Sequence, residues 1–99
     1  MMTDGPLIVV RIHDVDQAEK EILTLRMAMT TTINDLKREW ARRRGESPEG
    51  LYFQVVEYKG IRLDESQNLA GLEIPDGATL GLFNWMSYTR RFGLQLDTL

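Results

Sequence analysis

The side chains that could perform catalysis are few and lie far apart in this sequence. His13 is the single histidine, and none of the 99 residues is cysteine. Ser47, Ser66 and Ser87 each lie in a polar or irregular stretch, outside any Gly-x-Ser-x-Gly turn. Hydrolytic catalysis needs a nucleophile, a base and an orienting group together. We therefore predict that the protein is not an enzyme, and we interpret His13 as a solvated residue on a strand.

Metal and phosphate sites are not predicted either. The lack of cysteine removes thiolate ligands, and a metal site needs several converging side chains. Asp14 and Asp16 lie two residues apart in a polar stretch, where they are typical of hairpin chemistry. Gly71 and Gly77 are separated by ordinary loop sequence rather than by a phosphate-cradling motif. We expect no cofactor.

The strongest charge feature is the basic run KREWARRR at residues 37–44. It would place Lys37, Arg38, Arg42 and Arg44 on the solvent side of a helix. Acidic side chains are interspersed at Asp35 and Glu39, and the whole chain has a net charge of −3. Nucleic-acid binding would require more basic residues and neighbouring aromatic platforms. A solvated helix face is the simplest interpretation, and an acidic protein partner is the functional one.

The sequence favours a cytoplasmic protein. No apolar run approaches the roughly 20 residues that a membrane-spanning helix needs, so no membrane insertion is expected. The N-terminal segment MMTDGPLIVVRIHD lacks the basic region and long apolar stretch of a signal peptide. The absence of cysteine is consistent with a reducing compartment.

The first half of the chain predicts a hairpin followed by a helix. Residues 7–14 and 21–29 alternate apolar and polar side chains, as half-buried strands do. The period then becomes helical from Thr31 or Thr32, either of which can serve as the N-cap. Gly45 is placed to end the helix. A single apolar stripe, which must pack against a sheet, consists of Ile33, Leu36, Trp40 and Ala41.

The second half predicts three more strands, at residues 51–58, 61–63 and 78–85. In the first of these, alternation groups Tyr52, Gln54 and Val56 on one face. In the last, it turns Leu80 and Leu82 inward and Gly81, Phe83 and Trp85 outward. The polar loop between the short strand and the last one is expected to be pinned to the core by Leu69, Leu72 and Ile74.

This order of elements resembles the ubiquitin-like superfamily over residues 7–85. The segment TTTINDLKREWARRRG is similar to the helix region of SUMO, and YKGIRLDESQNLAGLEIPDGATLGLF to the second half that the superfamily shares. The resemblance implies an α+β fold, a β-grasp roll of order ββαβββ with one main helix packed across a mixed sheet. We expect residues 1–6 to be disordered and residues 86–99 to form a tail that adds a strand or docks on the domain.

Two protein-binding surfaces are predicted. The resemblance to SUMO implies a groove between the second strand and the helix that accepts an extended peptide. The matching positions are Leu25, Arg26, Met27, Leu36, Trp40 and Arg43. The resemblance to ubiquitin implies a patch on the third and fifth strands, here formed by Tyr52, Val56, Phe83 and Trp85. A partner protein, a second copy of the chain or the tail itself, through Phe92, Leu94 and Leu96, could cover this patch.

The leading hypothesis is a non-catalytic interaction module that is not conjugated to other proteins. One alternative rests on the stretch EGLYFQVVEYK, which looks like the long third strand of the YukD/EsaB proteins of bacterial type VII secretion systems. The other is a covalent modifier or sulfur carrier. Such proteins need a flexible tail ending in Gly-Gly, and the sequence contains no paired glycines.

Overall fold

The computed structural model describes residues 6–15, 22–45 and 54–93. These residues form five strands and two helices: β1 Leu7–Asp14, β2 Leu23–Ala28, α1 Ile33–Arg44, β3 Gln54–Tyr58, β4 Ile61–Arg62, β5 Ala78–Asn84 and α2 Trp85–Phe92. The predicted ββαβββ order is confirmed. A second helix, α2, follows it and was not predicted.

The strands form one mixed sheet in the order β2-β1-β5-β3-β4. The central pair, β1 and β5, is parallel, and the other pairs are antiparallel. The buried apolar residues of α1 belong to one cluster with Ile8, Val10 and Ile12 of β1 and with Leu80 and Leu82 of β5. We call this cluster the main core, and the sheet face that contributes to it the inner face.

Helix α1 has the ends that its sequence predicts. Thr32 is the N-cap, and its side-chain oxygen accepts a hydrogen bond from the Asp35 amide at 3.1 Å. Gly45 ends the helix with a φ of 70°, a left-handed conformation that glycine adopts without a steric penalty. The stripe residues Ile33, Leu36, Trp40 and Ala41 are all buried in the main core, which confirms the predicted packing of the helix against the sheet.

Lys37 corrects the prediction that the basic run surrounds the solvent side of α1. Its side chain is 1% exposed. The ammonium group donates to the Gln54 carbonyl at 2.8 Å and to the Glu65 carboxylate at 2.6 Å. The reason is helical geometry, since position 37 lies one turn from Ile33 and from Ala41 and therefore on the buried stripe. Lys37 thus ties α1 to β3 and to the loop after β4.

The loop between β4 and β5 is attached to the core as predicted. Leu69 and Ile74 are buried, and Leu72 packs against them partly exposed. At the end of this loop, Asp76 accepts a hydrogen bond from the Val9 amide at 2.7 Å, and the Gly77 amide donates to the Val9 carbonyl. No helix in the described residues is long and apolar enough to cross a membrane.

Candidate protein-interaction surfaces

Strand β2 is an open edge of the described sheet. Its one strand partner is β1, and the register pairs Val10 with Leu25 and Val9 with Arg26. Val9 directs both its amide and its carbonyl away from β2, toward Asp76 and Gly77. In an antiparallel ladder the direction alternates, so Leu25 bonds to β1 and the main-chain groups of Thr24 and Arg26 point away from the sheet.

The predicted groove residues divide into a buried set and an accessible set. Leu25, Leu36 and Trp40 are at most 1% exposed and belong to the main core. They support the groove but offer little surface to a ligand. Arg26 and Arg43 are exposed and Met27 is half-buried. The accessible part of this site is therefore the main chain of β2 together with a rim of side chains, in which Met27 lies on the groove side and Arg26, which alternates with the buried Leu25, lies on the outer face of the sheet.

The basic end of α1 is organised around Glu39. This carboxylate accepts from Arg42 Nε at 2.9 Å, from Arg42 Nη2 at 2.6 Å and from Arg43 Nε at 2.7 Å. These hydrogen bonds lower the pKa of Glu39 from 4.5 to about 2, and those from Arg42 have the larger effect. The same pairing raises the pKa of Arg42. Part of the basic run is thus neutralised within the helix.

The Glu39 network has a testable pH dependence. Because the pKa of Glu39 is depressed in the folded state, its contribution to stability is fully present above pH 4.5 and is lost as the pH falls toward 2. A carboxyl-carbon NMR titration of the native protein should place the Glu39 midpoint near 2. Replacing both Arg42 and Arg43 with glutamine should return it toward 4.5. A midpoint near 4.5 in the unmodified protein would show that the network does not form in solution.

Over β3 and β5 the outer face of the sheet is covered. Val55 of β3 pairs with Phe83 of β5, and the two side chains are 6% and 2% exposed. They form a second cluster with Tyr88, against which Val15, Trp85 and Phe92 pack partly buried. We call these six residues the outer cluster. Phe83 does face outward as predicted, but it is not available to a partner.

Two residues of the predicted sheet patch have other positions. Val56 pairs with Leu82 and is buried in the main core, so the predicted phase of β3 is reversed over its described residues. The cause is the register with β5, which turns Val55 rather than Val56 to the outer face. Trp85 is the first residue of α2 rather than the last of β5. Tyr52, Leu94 and Leu96 lie outside the described residues.

Helix α2 provides the cover, and Tyr88 is its anchor. The Tyr88 ring is fully buried, stacks on Trp85 at 6.0 Å and lies 5.0 Å from Phe92, centroid to centroid. Its hydroxyl donates to the Gly60 carbonyl at 3.3 Å. Burial raises the pKa of Tyr88, so the phenol stays neutral. Residues 85–92 thus cover the outer face over β3 and β5, as one alternative predicted for the tail, but as a helix rather than a strand.

The sequence does contain the signal for α2. Trp85, Tyr88 and Phe92 recur at i, i+3 and i+7, the spacing of one helical face. Asn84 is a favourable N-cap, and its side chain accepts from the Met86 amide at 2.8 Å. This helical spacing is not recognised when Trp85 is assigned to the end of the last strand.

His13 lies half-buried on the outer face, beside a cleft that it lines together with Gly81 and Arg91. No group of three or more histidine, cysteine or acidic side chains within residues 6–15, 22–45 and 54–93 could hold a metal ion.

Comparison with known proteins supports the fold. No protein-family model and no curated protein matches the sequence. Among solved structures, the chain is similar to Caldiarchaeum subterraneum ubiquitin, with 19% identity, 79% of this chain and 92% of that chain covered, and a TM-score of 0.69. It is also similar to a structure reported under the heading "Molecular Mimicry of SUMO promotes DNA repair", with 20% identity, 79% and 91% coverage, and a TM-score of 0.65. Together with the strand order and the helix on the inner face, these similarities show that the chain has a ubiquitin-like β-grasp fold.

Proposed function

We propose that the chain is a non-catalytic, ubiquitin-like protein-interaction module, and that its partner adds an extended strand to β2 above the groove with α1. The observation that carries this proposal is the open edge of β2. Thr24 and Arg26 present main-chain donors and acceptors that the described sheet does not use. An added strand can satisfy these groups while its alternate side chains reach the groove.

The rim of the groove indicates the character of the partner. Arg26 forms no ion pair with any described carboxylate, and Arg43 shares Glu39 with Arg42. An approaching chain therefore meets the half-buried Met27 on the groove side of β2 and the positive charge of Arg26 on the outer face. A segment that combines acidic and apolar side chains complements this rim, and its charge would speed and orient the encounter.

Helix α2 supports both the choice of surface and a role without conjugation. Because it covers Phe83 and Val55, this part of the outer face is already occupied within the chain. Residues 85–92, which follow β5 directly, are helical and docked. They do not extend away from the domain as a reactive tail would.

The edge of β2 can be tested by selecting peptides from a random library against the purified protein. We expect extended peptides with alternating apolar residues and at least one acidic residue. Their binding should shift the Thr24 and Arg26 amide resonances and slow the hydrogen exchange of these two amides. Peptides that perturb only α2 or the outer cluster would contradict the proposal.

A pair of substitutions at Arg26 separates main-chain from side-chain recognition. Arg26→Pro removes the outward N–H, and an edge strand tolerates proline when that N–H faces solvent. This change should abolish peptide binding. Arg26→Ala keeps this N–H, and the variant should retain most of the peptide binding. Native circular dichroism spectra of both variants are the control, and equal binding by both would exclude strand addition at this edge.

A further inference from the structure

A cleft of about 180 Å³ lies on the outer face of the sheet, next to α2. Strands β1, β3 and β5 and helix α2 all contribute to its walls. The charged or titratable side chains that line it are His13, Glu57 and Arg91.

Gly81 forms the floor of the cleft. It pairs with His13 on one side and with Glu57 on the other, so these three residues form one row across three strands. A Cβ atom at position 81 would collide with the Glu57 carboxylate and would lie 2.8 Å from Phe83 Cε1. The missing side chain therefore makes the room into which the Glu57 carboxylate extends.

The two formal charges of the cleft are held separately. Glu57 Oε2 accepts a hydrogen bond from the Gly60 amide at 2.8 Å, which fixes the carboxylate. The Arg91 guanidinium lies 6.0 Å from the Phe83 ring centroid and 5.7 Å from that of Phe92. No carboxylate of the described residues lies within 4.0 Å of it. The Arg91 guanidinium thus packs against two aromatic rings. It shares the cleft with the Glu57 carboxylate but does not form an ion pair with it.

We propose that this cleft binds a small zwitterion of the α-amino acid class. The ligand carboxylate would pair with Arg91, whose guanidinium suits two-point recognition of a carboxylate. The ligand ammonium would pair with Glu57, and the His13 imidazole can donate to or accept from the ligand. A simple anion would meet the Glu57 charge and a simple cation the Arg91 charge, so a ligand with both charges complements the cleft better than either. The site lies on the opposite sheet face from the main core and α1, and it is independent of strand addition at β2.

The test is an NMR titration of the full chain with glycine, acetate, methylamine and diglycine as separate probes. Glycine at millimolar concentration should shift the Gly81 amide and the His13 ring resonances, with acetate and methylamine each binding at least about tenfold more weakly, as expected from losing one charge-assisted contact. Diglycine separates its charges by a further residue and should also bind more weakly. Equal binding of acetate and glycine would overturn the proposal in favour of an anion site. The absence of a shift with every probe would overturn it as well, because the cleft would then bind none of these ligands.

Substitutions in α2 and β3 provide the matched controls. Arg91→Gln should weaken glycine binding by about tenfold or more, whereas Arg90→Gln, one position away and outside the cleft, should leave it unchanged. Glu57→Gln should weaken glycine binding but not acetate binding, and its amide oxygen can still accept from Gly60. An equal effect of Arg90→Gln and Arg91→Gln would mean that only overall charge matters, and would overturn the proposal.

Discussion

Replacing Trp40 with alanine is expected to lower the free energy of unfolding by about 3–5 kcal/mol. The side chain is fully buried between α1 and the sheet, and it is among the largest in the main core. Removing it loses its apolar transfer free energy and leaves a cavity that the surrounding strands cannot fill. Since small domains are stable by about 5–15 kcal/mol, this change should bring the protein close to the limit of folding. Urea unfolding followed by circular dichroism measures the effect.

Two further substitutions make the Trp40 test specific. Trp85→Ala removes the same side chain from a half-buried position in the outer cluster, and should cost clearly less than Trp40→Ala. Trp40→Phe should fall between the unmodified protein and Trp40→Ala. It removes less volume, and it deletes an indole N–H that is buried without a hydrogen-bond partner in the described part of the chain. If Trp85→Ala were the more destabilising change, the main core would not be the principal source of stability.

Replacing Tyr88 with alanine is expected to release α2 from the sheet. Tyr88 contacts Phe83, Trp85 and Phe92, and its hydroxyl bonds to Gly60. A helix of eight residues is too short to persist in water on its own, so loss of its anchor should unfold it as a unit. The main core does not include α2 and should survive. Hydrogen exchange should show the amides of α2 losing protection while those of β1 and β5 keep theirs.

Two control substitutions define the role of Tyr88. Met86→Ala alters a side chain of the same helix that is 66% exposed, and should change stability by no more than about 0.5 kcal/mol. Tyr88→Phe keeps the ring and should cost about 0.5–1.5 kcal/mol for the lost hydrogen bond. A parallel loss of protection in α2 and β1 after Tyr88→Ala would show that the two clusters unfold together, and α2 would then be part of the cooperative core.

The two proposed binding sites are separate in space and in chemistry. Strand addition uses the free main chain of β2 and leaves α2 in place. The zwitterion cleft needs α2 docked, because Arg91 and Phe92 form one of its walls. Tyr88→Ala should therefore abolish glycine binding while leaving peptide binding at β2 intact, which allows each proposal to fail without the other.

Several features of this protein follow from the sequence alone. The bounds of β1, the C-cap of α1 and its buried stripe agree with the pattern, and the structure selects Thr32 from the two N-caps that the sequence offers, because caps and helical spacing are local signals. The order of elements was enough to predict the β-grasp roll. These signals act through contacts between residues near in sequence, so they can be recognised without knowing the rest of the chain.

Tertiary structure alone decided which faces are accessible. Val55 and Val56 are both apolar, so alternation cannot say which enters the core, and only the register with β5 selects Val56. Lys37 looks like a surface cation, yet Glu65 and the Gln54 carbonyl, both distant in sequence, allow it to be buried. Phe83 points outward in either interpretation, and whether it binds a partner depends on α2 folding over it. For Phe83 the deciding contacts come from Tyr88 and Phe92 of the helix that follows directly, so the spacing of these residues is a local signal for the helix but not for its docking. For Val56 and Lys37 the deciding contact joins residues far apart in the chain, and a pattern of neighbours carries no information about it.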